Sequence, residues 1–267
     1  MKNFSFNRLM QLIKKQGSED RKMYVLSSIA LFGILGVVFA FWIFGGGNTY
    51  REETLYLLGI LGLFITGGIF ASTSFASLNN KEKGVFSLAF PASHLEKLLT
   101  TLFFNVIVFT VVYALCFFLL KFIAEAAIAA RIANNDSYRY VKANWIKKGS
   151  LAKSIPILIY AFFALQSLFI LGSIIFKRFA FVITAIIIIV LFFSWLFFSN
   201  KLMGTLYGRE EYNFLFSEIR KPEPSLSSYK VYELPASLQI VLGLILKYLL
   251  APFFWLVTYF KLKEKQI

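Results

Sequence analysis

Residues Leu98–Leu120 have the sequence LLTTLFFNVIVFTVVYALCFFLL, which no charged side chain interrupts. A helix of about 20 apolar residues, rising ~1.5 Å per residue, is long enough to cross the hydrocarbon core of a bilayer. Five further stretches of similar length flank this one and carry almost no charge in their centres. The six predicted spans are Met23–Phe44, Leu55–Leu78, Leu98–Leu120, Ile155–Phe176, Phe179–Ser199 and Leu238–Phe260.

Continuous apolar runs of this kind favour helices over a membrane β-barrel, whose strands alternate apolar and polar residues. The composition agrees, since 58% of the residues are hydrophobic and 32 of the 267 are phenylalanine. The sequence therefore predicts an all-α, polytopic membrane helix bundle, with residues 23–260 as its six-span transmembrane domain. Cys116 is the only cysteine, which excludes an intramolecular disulfide and a thiolate metal cluster.

Residues 1–22 form a basic segment before the first span. Phe6, Leu9, Met10 and Ile13 follow the i, i+3, i+4, i+7 spacing of one helical face. This spacing predicts a short amphipathic helix at the membrane interface, where apolar burial and attraction to anionic lipid act together. The alternative is a basic leader that only fixes the topology.

The net charge of +14 is explained better by membrane topology than by nucleic-acid binding. The N-terminal segment and the Lys177-Arg178 turn are basic, whereas the connection after the first span has one arginine and two glutamates. Positive charge in short connections is typical of the cytoplasmic side. We therefore expect a bacterial inner-membrane protein with both termini, including the tail 261–267, in the cytoplasm. No nucleic-acid partner is expected.

Small residues recur near the end of the second predicted span, as the pairs Gly67/Ala71 and Gly68/Ser72. In a membrane, small residues at this spacing let two helices approach closely and gain van der Waals contact. The neighbouring helix belongs either to the same chain or to a second subunit, and packing within one chain is the more common case.

The connection before the third span contains a signal for the start of a helix. Pro91 ends any helix that precedes it. Ser93 and Glu96 have the spacing of a capping box, in which the two side chains accept hydrogen bonds from each other's main-chain amides. The connection is either a well-formed helix start alone or a cytoplasmic element that contacts another protein.

The pattern from Phe75 to Lys97, with FPAS at positions 90–93 and Glu-Lys at 96–97, resembles ABC-2 type transporter permeases. The six spans and the basic N-terminal helix add to the resemblance. It implies a homo- or heterodimer whose cytoplasmic loop contacts a separate ABC ATPase subunit. One departure is the connection Ile123–Lys153, which is usually short in such permeases. The candidate coupling residues that the resemblance implies are Asn79, Lys81, Lys83, Phe90, Pro91, Ser93, Glu96 and Lys97.

Residues able to carry chemistry are scarce within the predicted spans. None of the 14 aspartates and glutamates lies there, and the single histidine, His94, precedes the third span. The polar side chains inside spans include Asn105, Gln166 and Lys247. We expect Asn105 and Gln166 to hydrogen-bond between helices. Lys247 either extends to an interface or lines a polar path, because a charge at the bilayer centre is costly.

This scarcity narrows the possible functions. Ion-coupled transporters usually carry acidic groups in their spans, and the sequence has no Gly-x-x-x-x-Gly-Lys-Ser/Thr loop for a nucleotide. The scarcity favours transport energised by another polypeptide, and together with the resemblance it favours an export permease without enzymatic activity or a cofactor. The alternative is a non-transporting membrane scaffold or regulatory subunit, and an intramembrane enzyme is a weaker third.

Overall fold

The computed structural model describes residues 4–45, 47–76, 92–135, 137–142, 150–207, 211–212, 218–222, 229–233 and 236–265. Most of these residues are helical. The first helices are α1 (Phe6–Glu19), α2 (Arg21–Gly45) and α3 (Glu52–Ser72). A long helix α4 follows, which comprises His94–Leu102, the π-helical segment Phe103–Val108 and Phe109–Asn134. The later helices are α5 (Ser150–Ile175), α6 (Ala180–Tyr207) and α7, made of Ala236–Leu244, the π-helical segment Ile245–Leu249 and Leu250–Glu264.

Short strands connect some of these helices. Strands β1 (Thr49–Arg51) and β2 (Arg139–Val141) pair in parallel, with Tyr50 opposite Tyr140. Strands β3 (Glu211–Tyr212), β4 (Glu218–Pro222) and β5 (Tyr229–Glu233) form an antiparallel sheet in the order β3-β4-β5. Both sheets lie in connections between apolar helices, and no strand lies within the helical bundle among the described residues.

Within the described residues, five helices are long and apolar enough to cross a membrane: α2, α3, α4, α5 and α6. The prediction of a helical bundle with several apolar helices of membrane-spanning length is therefore confirmed, and the count of six spans stays a prediction. The sixth predicted span falls on α7, whose main chain is helical. The predicted N-terminal amphipathic helix is also present, as α1.

Helix α4 extends well beyond its predicted span. It contains 41 residues, which corresponds to about 60 Å, whereas the hydrocarbon core of a bilayer is about 30 Å thick. The extension follows from its sequence, because residues 123–133 are nearly all strong helix formers. The helix ends at Asn134, where asparagine side chains compete for main-chain hydrogen bonds.

The small residues of α3 pack within the chain. A Cβ atom added to Gly67 would lie 2.7 Å from the ring of Phe162, and one added to Gly68 would lie 2.7 Å from the ring of Phe169. Both phenylalanines belong to α5. The prediction that these small residues allow close packing within one chain is confirmed, because any larger side chain would push α5 away from α3.

A polar network joins the ends of α2, α3 and α4 near β1 and β2. Arg131 donates to the carbonyl oxygen of Ile43 at 2.7 Å and to the hydroxyl of Tyr50 at 3.0 Å. Lys121 forms an ion pair with Glu52 at 2.8 Å. The Arg131 side chain therefore provides a donor for the carbonyl of Ile43 in the last turn of α2. Carbonyls in the last turn of a helix have no intrahelical donor.

The same network includes Tyr140 of β2, whose hydroxyl donates to Glu125 at 3.2 Å. Burial and the negative charge of Glu125 raise the pKa of Tyr140. These contacts fix β2 against α4. We call this region, at the end of α4 that carries Arg131, the distal end of the bundle.

Candidate functional site

The start of α4 carries the capping box that the sequence predicts. The Ser93 hydroxyl accepts a hydrogen bond from the Glu96 amide at 3.2 Å. In return, Oε2 of Glu96 accepts from the Ser93 amide at 2.8 Å. Both main-chain donors lie at the helix start, where no intrahelical acceptor exists. The prediction that a helix begins after Ser93 is confirmed.

The second oxygen of Glu96 binds the N-terminal helix. Oε1 accepts from the main-chain amide of Ser5 at 2.8 Å and forms an ion pair with Nη2 of Arg8 at 3.2 Å. Ser5 is the N-cap residue of α1, and its own side chain makes no capping bond. Glu96 therefore caps α1 and α4 at once, one oxygen to each helix.

Burial makes this junction costly to break. The Glu96 side chain is fully buried, whereas Arg8 retains about a third of its side-chain exposure. A buried carboxylate is stable only if hydrogen bonds and opposite charge replace the water it has lost. Here two main-chain amides, one arginine and the positive ends of two helices supply that replacement. We call Ser5, Arg8, Ser93 and Glu96 the Glu96 junction.

Other helices surround the junction. The ring of His94 contacts that of Tyr259 on α7 edge to face, with centroids 6.4 Å apart. Leu98 shares a buried apolar cluster with Ile174 of α5 and Leu262 of α7. The start of α4 thus lies at one end of the bundle together with α1, the end of α5 and the end of α7. We call this the junction end, opposite the distal end.

The structure describes some of the candidate coupling residues. Ser93 and Glu96 form the junction, and the side chain of Lys97 is partly exposed beside it. The other five candidates lie outside the described residues, so their contacts stay predictions: Asn79, Lys81, Lys83, Phe90 and Pro91. The last described residue before them is Ala76, and the first after them is Ala92.

The intramembrane amides meet at the π-helical segment of α4. The Gln166 amide of α5 donates to the main-chain carbonyl of Asn105 at 2.5 Å, as predicted for a contact between helices. Asn105 differs from the prediction, since its side-chain amide donates to the carbonyl of Thr101 in its own helix at 2.9 Å. The one-turn spacing of Thr101 and Asn105 makes this local bond available without a partner helix.

Lys247 lies in the π-helical segment Ile245–Leu249 of α7. Its side chain is outside the described part of the structure, so the choice between an interface and a polar path stays a prediction. Among the described residues, no group of three or more histidine, cysteine, aspartate or glutamate side chains could hold a metal ion.

The second role of Glu96 was not visible in the sequence. The capping box is a local pattern of four residues, whereas Ser5 and Arg8 are about ninety residues away and have no pattern that pairs them with it. No family model, no curated protein and no solved structure matches this chain. The candidate site therefore rests on its own geometry.

Proposed function

We propose that this protein is the membrane subunit of an ATP-driven exporter of the ABC-2 type, energised by a separate ATPase at the junction end. In this proposal the chain crosses the bacterial inner membrane six times, with α7 as the sixth span. Two such subunits, identical or different, work with two ATPases. In this proposal ATP hydrolysis takes place on the separate subunit, because this sequence lacks the Gly-x-x-x-x-Gly-Lys-Ser/Thr loop that binds a nucleotide phosphate.

The observation that carries the proposal is the Glu96 junction. Residues 79–97, which the family resemblance implies as the ATPase contact together with the N-terminal helix, include Ser93 and Glu96 at the start of α4. Glu96 bonds the amide of Ser93 and the amide of Ser5. A displacement of the loop therefore acts on α4 and on α1 together, since separating the two helices would leave a buried carboxylate without its partners.

Both chain ends support the proposed topology. Helix α1 is bonded to the start of α4 through Arg8, and Leu262 near the end of α7 packs with Leu98 of α4. The two ends of the chain thus lie at the same end of the bundle, as an even number of spans requires. Lys177 and Arg178 are exposed at this end, which the preference of basic residues for the cytoplasmic side supports.

Thiol labelling in intact cells tests this topology. Cys116 is first replaced by alanine, and single cysteines are introduced at Asn80 or at Asn135. A membrane-impermeant reagent should label the cysteine at position 135 and not the one at position 80. Labelling at position 80 alone would place the loop outside the cell, away from ATP, and would overturn the proposal.

Co-purification distinguishes the exporter from a scaffold or regulatory subunit. The protein is extracted in mild detergent, and the proteins that accompany it are identified. The exporter proposal requires a polypeptide with a Gly-x-x-x-x-Gly-Lys-Ser/Thr motif at a one-to-one ratio. Stable partners that all lack this motif would favour the scaffold.

A further inference from the structure

The first turns of α2 carry a groove on the outer surface of the bundle. Its volume is about 380 Å³. The groove forms because the small side chain of Ser28 lies between two aromatic residues, Tyr24 and Phe32, which are one turn away on either side along the same helical face. Among the described residues, those that line the groove all belong to α2: Tyr24, Val25, Ser28, Ile29 and Phe32.

One wall of the groove is held in place by other helices. The ring of Tyr24 stacks on that of Phe104 of α4, with centroids 5.1 Å apart. The Tyr24 hydroxyl accepts a hydrogen bond from the side-chain amide of Gln16 on α1 at 3.0 Å. The Ser28 hydroxyl donates to the main-chain carbonyl of Tyr24 at 2.8 Å, so it offers little polarity to the groove. The opposite wall is aliphatic and exposed. The groove is therefore preformed, apolar and open to the surroundings of α2.

Two exposed basic residues, Arg21 and Lys22, begin α2 beside the groove. Arg21 is four residues before Val25 and seven before Ser28, and this spacing places it on the same helical face as the groove. The apolar part of α2 starts at Met23, directly after the two charges. Both charges therefore lie where the helix passes from water into the membrane.

No carboxylate forms a salt bridge with Arg21 or Lys22 among the described residues. Of the two acidic residues that precede them, Glu19 forms an ion pair with Lys15 at 3.7 Å. Residues 14–22 contain four basic and two acidic side chains, which leaves a net positive charge. The start of α2 therefore attracts anions.

We propose that this site binds an anionic phospholipid, with its phosphate at Arg21 and Lys22 and one acyl chain in the groove. A guanidinium group binds a phosphate through two parallel hydrogen bonds, and an acyl chain runs from the headgroup level toward the membrane centre, as α2 does. A second copy of this chain fits less well, because a symmetric contact through this face would bring like charges together. The inference takes α2 as a membrane span and does not depend on the proposed ATPase.

Native mass spectrometry of the purified full-length chain in neutral detergent tests the proposal, because each bound lipid adds a defined mass. Dioctanoyl phosphatidylglycerol is titrated, and the titration is repeated with the phosphatidylcholine of equal chain length. The first phosphatidylglycerol should bind with a dissociation constant at least about tenfold below that of phosphatidylcholine. Equal dissociation constants for the two lipids would overturn the proposal.

A double variant, Arg21→Gln with Lys22→Gln, removes the charges and keeps the groove. Each basic residue near an anionic surface contributes about a fivefold gain in affinity, so the dissociation constant for phosphatidylglycerol should rise about 25-fold. The matched control is Lys177→Gln with Arg178→Gln, an equal charge change on exposed residues between α5 and α6 at the same end of the bundle. The control should leave the dissociation constant nearly unchanged. Equal weakening by both variants would show a general attraction of anions and would overturn the site.

Ser28→Leu fills the groove and keeps both charges. Its matched control is Ser27→Leu, which adds the same side chain at an exposed residue of α2 outside the groove. Melting curves should show that both variants fold, because both positions lie on the outer surface of α2. Only Ser28→Leu should weaken phosphatidylglycerol binding severalfold. Unchanged binding in Ser28→Leu, or an equal loss in both variants, would exclude the groove from the site and overturn the proposal.

The same measurements separate a lipid from other occupants of the groove. Inorganic phosphate at millimolar concentration should not displace phosphatidylglycerol, because the acyl chain contributes to binding. Displacement by phosphate at the concentration of the lipid would assign the site to a free anion. A change in subunit number in Ser28→Leu, with lipid binding unchanged, would assign the groove to a second copy of the chain. Either result would contradict the lipid assignment.

Discussion

Arg8 and Glu96 form an ion pair of 3.2 Å between Nη2 and Oε1, which joins a surface helix to the start of a helix long enough to span the membrane. The same carboxylate also accepts from the main chain at both helix starts. Separating the two helices would leave this fully buried carboxylate without its partners, which costs more than breaking an exposed pair. We expect α1 and the start of α4 to move as one unit.

Replacing Glu96 by alanine should lower the free energy of unfolding by about 2 kcal/mol, because the main-chain amides of Ser5 and Ser93 each lose the acceptor that Glu96 provides, at ~1 kcal/mol per hydrogen bond. The loss is measured by denaturation of the purified protein in detergent. Glu264→Ala is the control, since Glu264 is exposed and, among the described residues, pairs with a neighbouring lysine of its own helix. That control should change stability by no more than ~0.5 kcal/mol. Equal effects of the two variants would show that the Glu96 junction contributes no special stability.

Removing only the positive charge of Arg8 should reduce substrate-stimulated ATP hydrolysis without unfolding the protein. Arg8→Gln removes the positive charge but leaves the main-chain bonds from Ser5 and Ser93 to Glu96. In a complex reconstituted with the ATPase, we expect normal ATPase binding with reduced substrate-stimulated ATP hydrolysis. Arg8→Lys should restore part of the stimulation, because it keeps the charge without the forked geometry. Full stimulation in Arg8→Gln would show that the junction is structural only.

The packing of α3 on α5 predicts a large effect at Gly67. Leucine at this position would collide with Phe162, and overpacking of this kind costs ~1–3 kcal/mol. Gly33→Leu is the matched control on α2, where a Cβ atom would find no neighbour within 4 Å. Melting curves of the two variants should therefore separate clearly. If Gly67→Leu instead left stability intact and changed the oligomeric state, the small residues would serve a subunit contact.

The distal end should matter for stability and not for coupling. Arg131→Ala removes hydrogen bonds to Ile43 and Tyr50, and hydrogen bonds from a charged donor contribute ~1–3 kcal/mol. The expected result is a lower melting temperature with unchanged substrate stimulation of ATP hydrolysis at a temperature where the protein stays folded. Arg139→Ala, at an exposed residue of β2, should alter neither property. A loss of stimulation in Arg131→Ala would show that the distal end also takes part in coupling.

The sequence was sufficient for features that depend on local patterns. Apolar run length predicted the membrane helices, helical periodicity predicted α1, and the spacing of Ser93 and Glu96 predicted the capping box. The glycines of α3 predicted a close helix contact but not its partner on α5. The hydrogen bond from Asn105 to Thr101 could also have been predicted, because the two residues are four positions apart in one helix. A contact between helices was instead predicted for Asn105.

Features that depend on the three-dimensional arrangement could not be predicted. The parallel pairing of β1 with β2 joins segments separated by two long helices, and neither segment has the length of an ordinary strand. The ion pair of Lys121 with Glu52 likewise joins α4 to α3, and Lys121 appeared in the sequence only as the first charge after a predicted span. In each case the packing of the helices decides which residues meet. No short pattern in the sequence indicates that packing.

Site-directed photo-crosslinking tests the proposed ATPase contact most directly. A photoreactive amino acid is introduced at Lys83 in the proposed contact loop, or at Lys142 of the distal end as the control, and living cells are irradiated. We predict that position 83 crosslinks to a polypeptide with a Gly-x-x-x-x-Gly-Lys-Ser/Thr motif and that position 142 does not. Crosslinks from position 83 only to proteins without that motif, or to the ATPase only from position 142, would contradict the account.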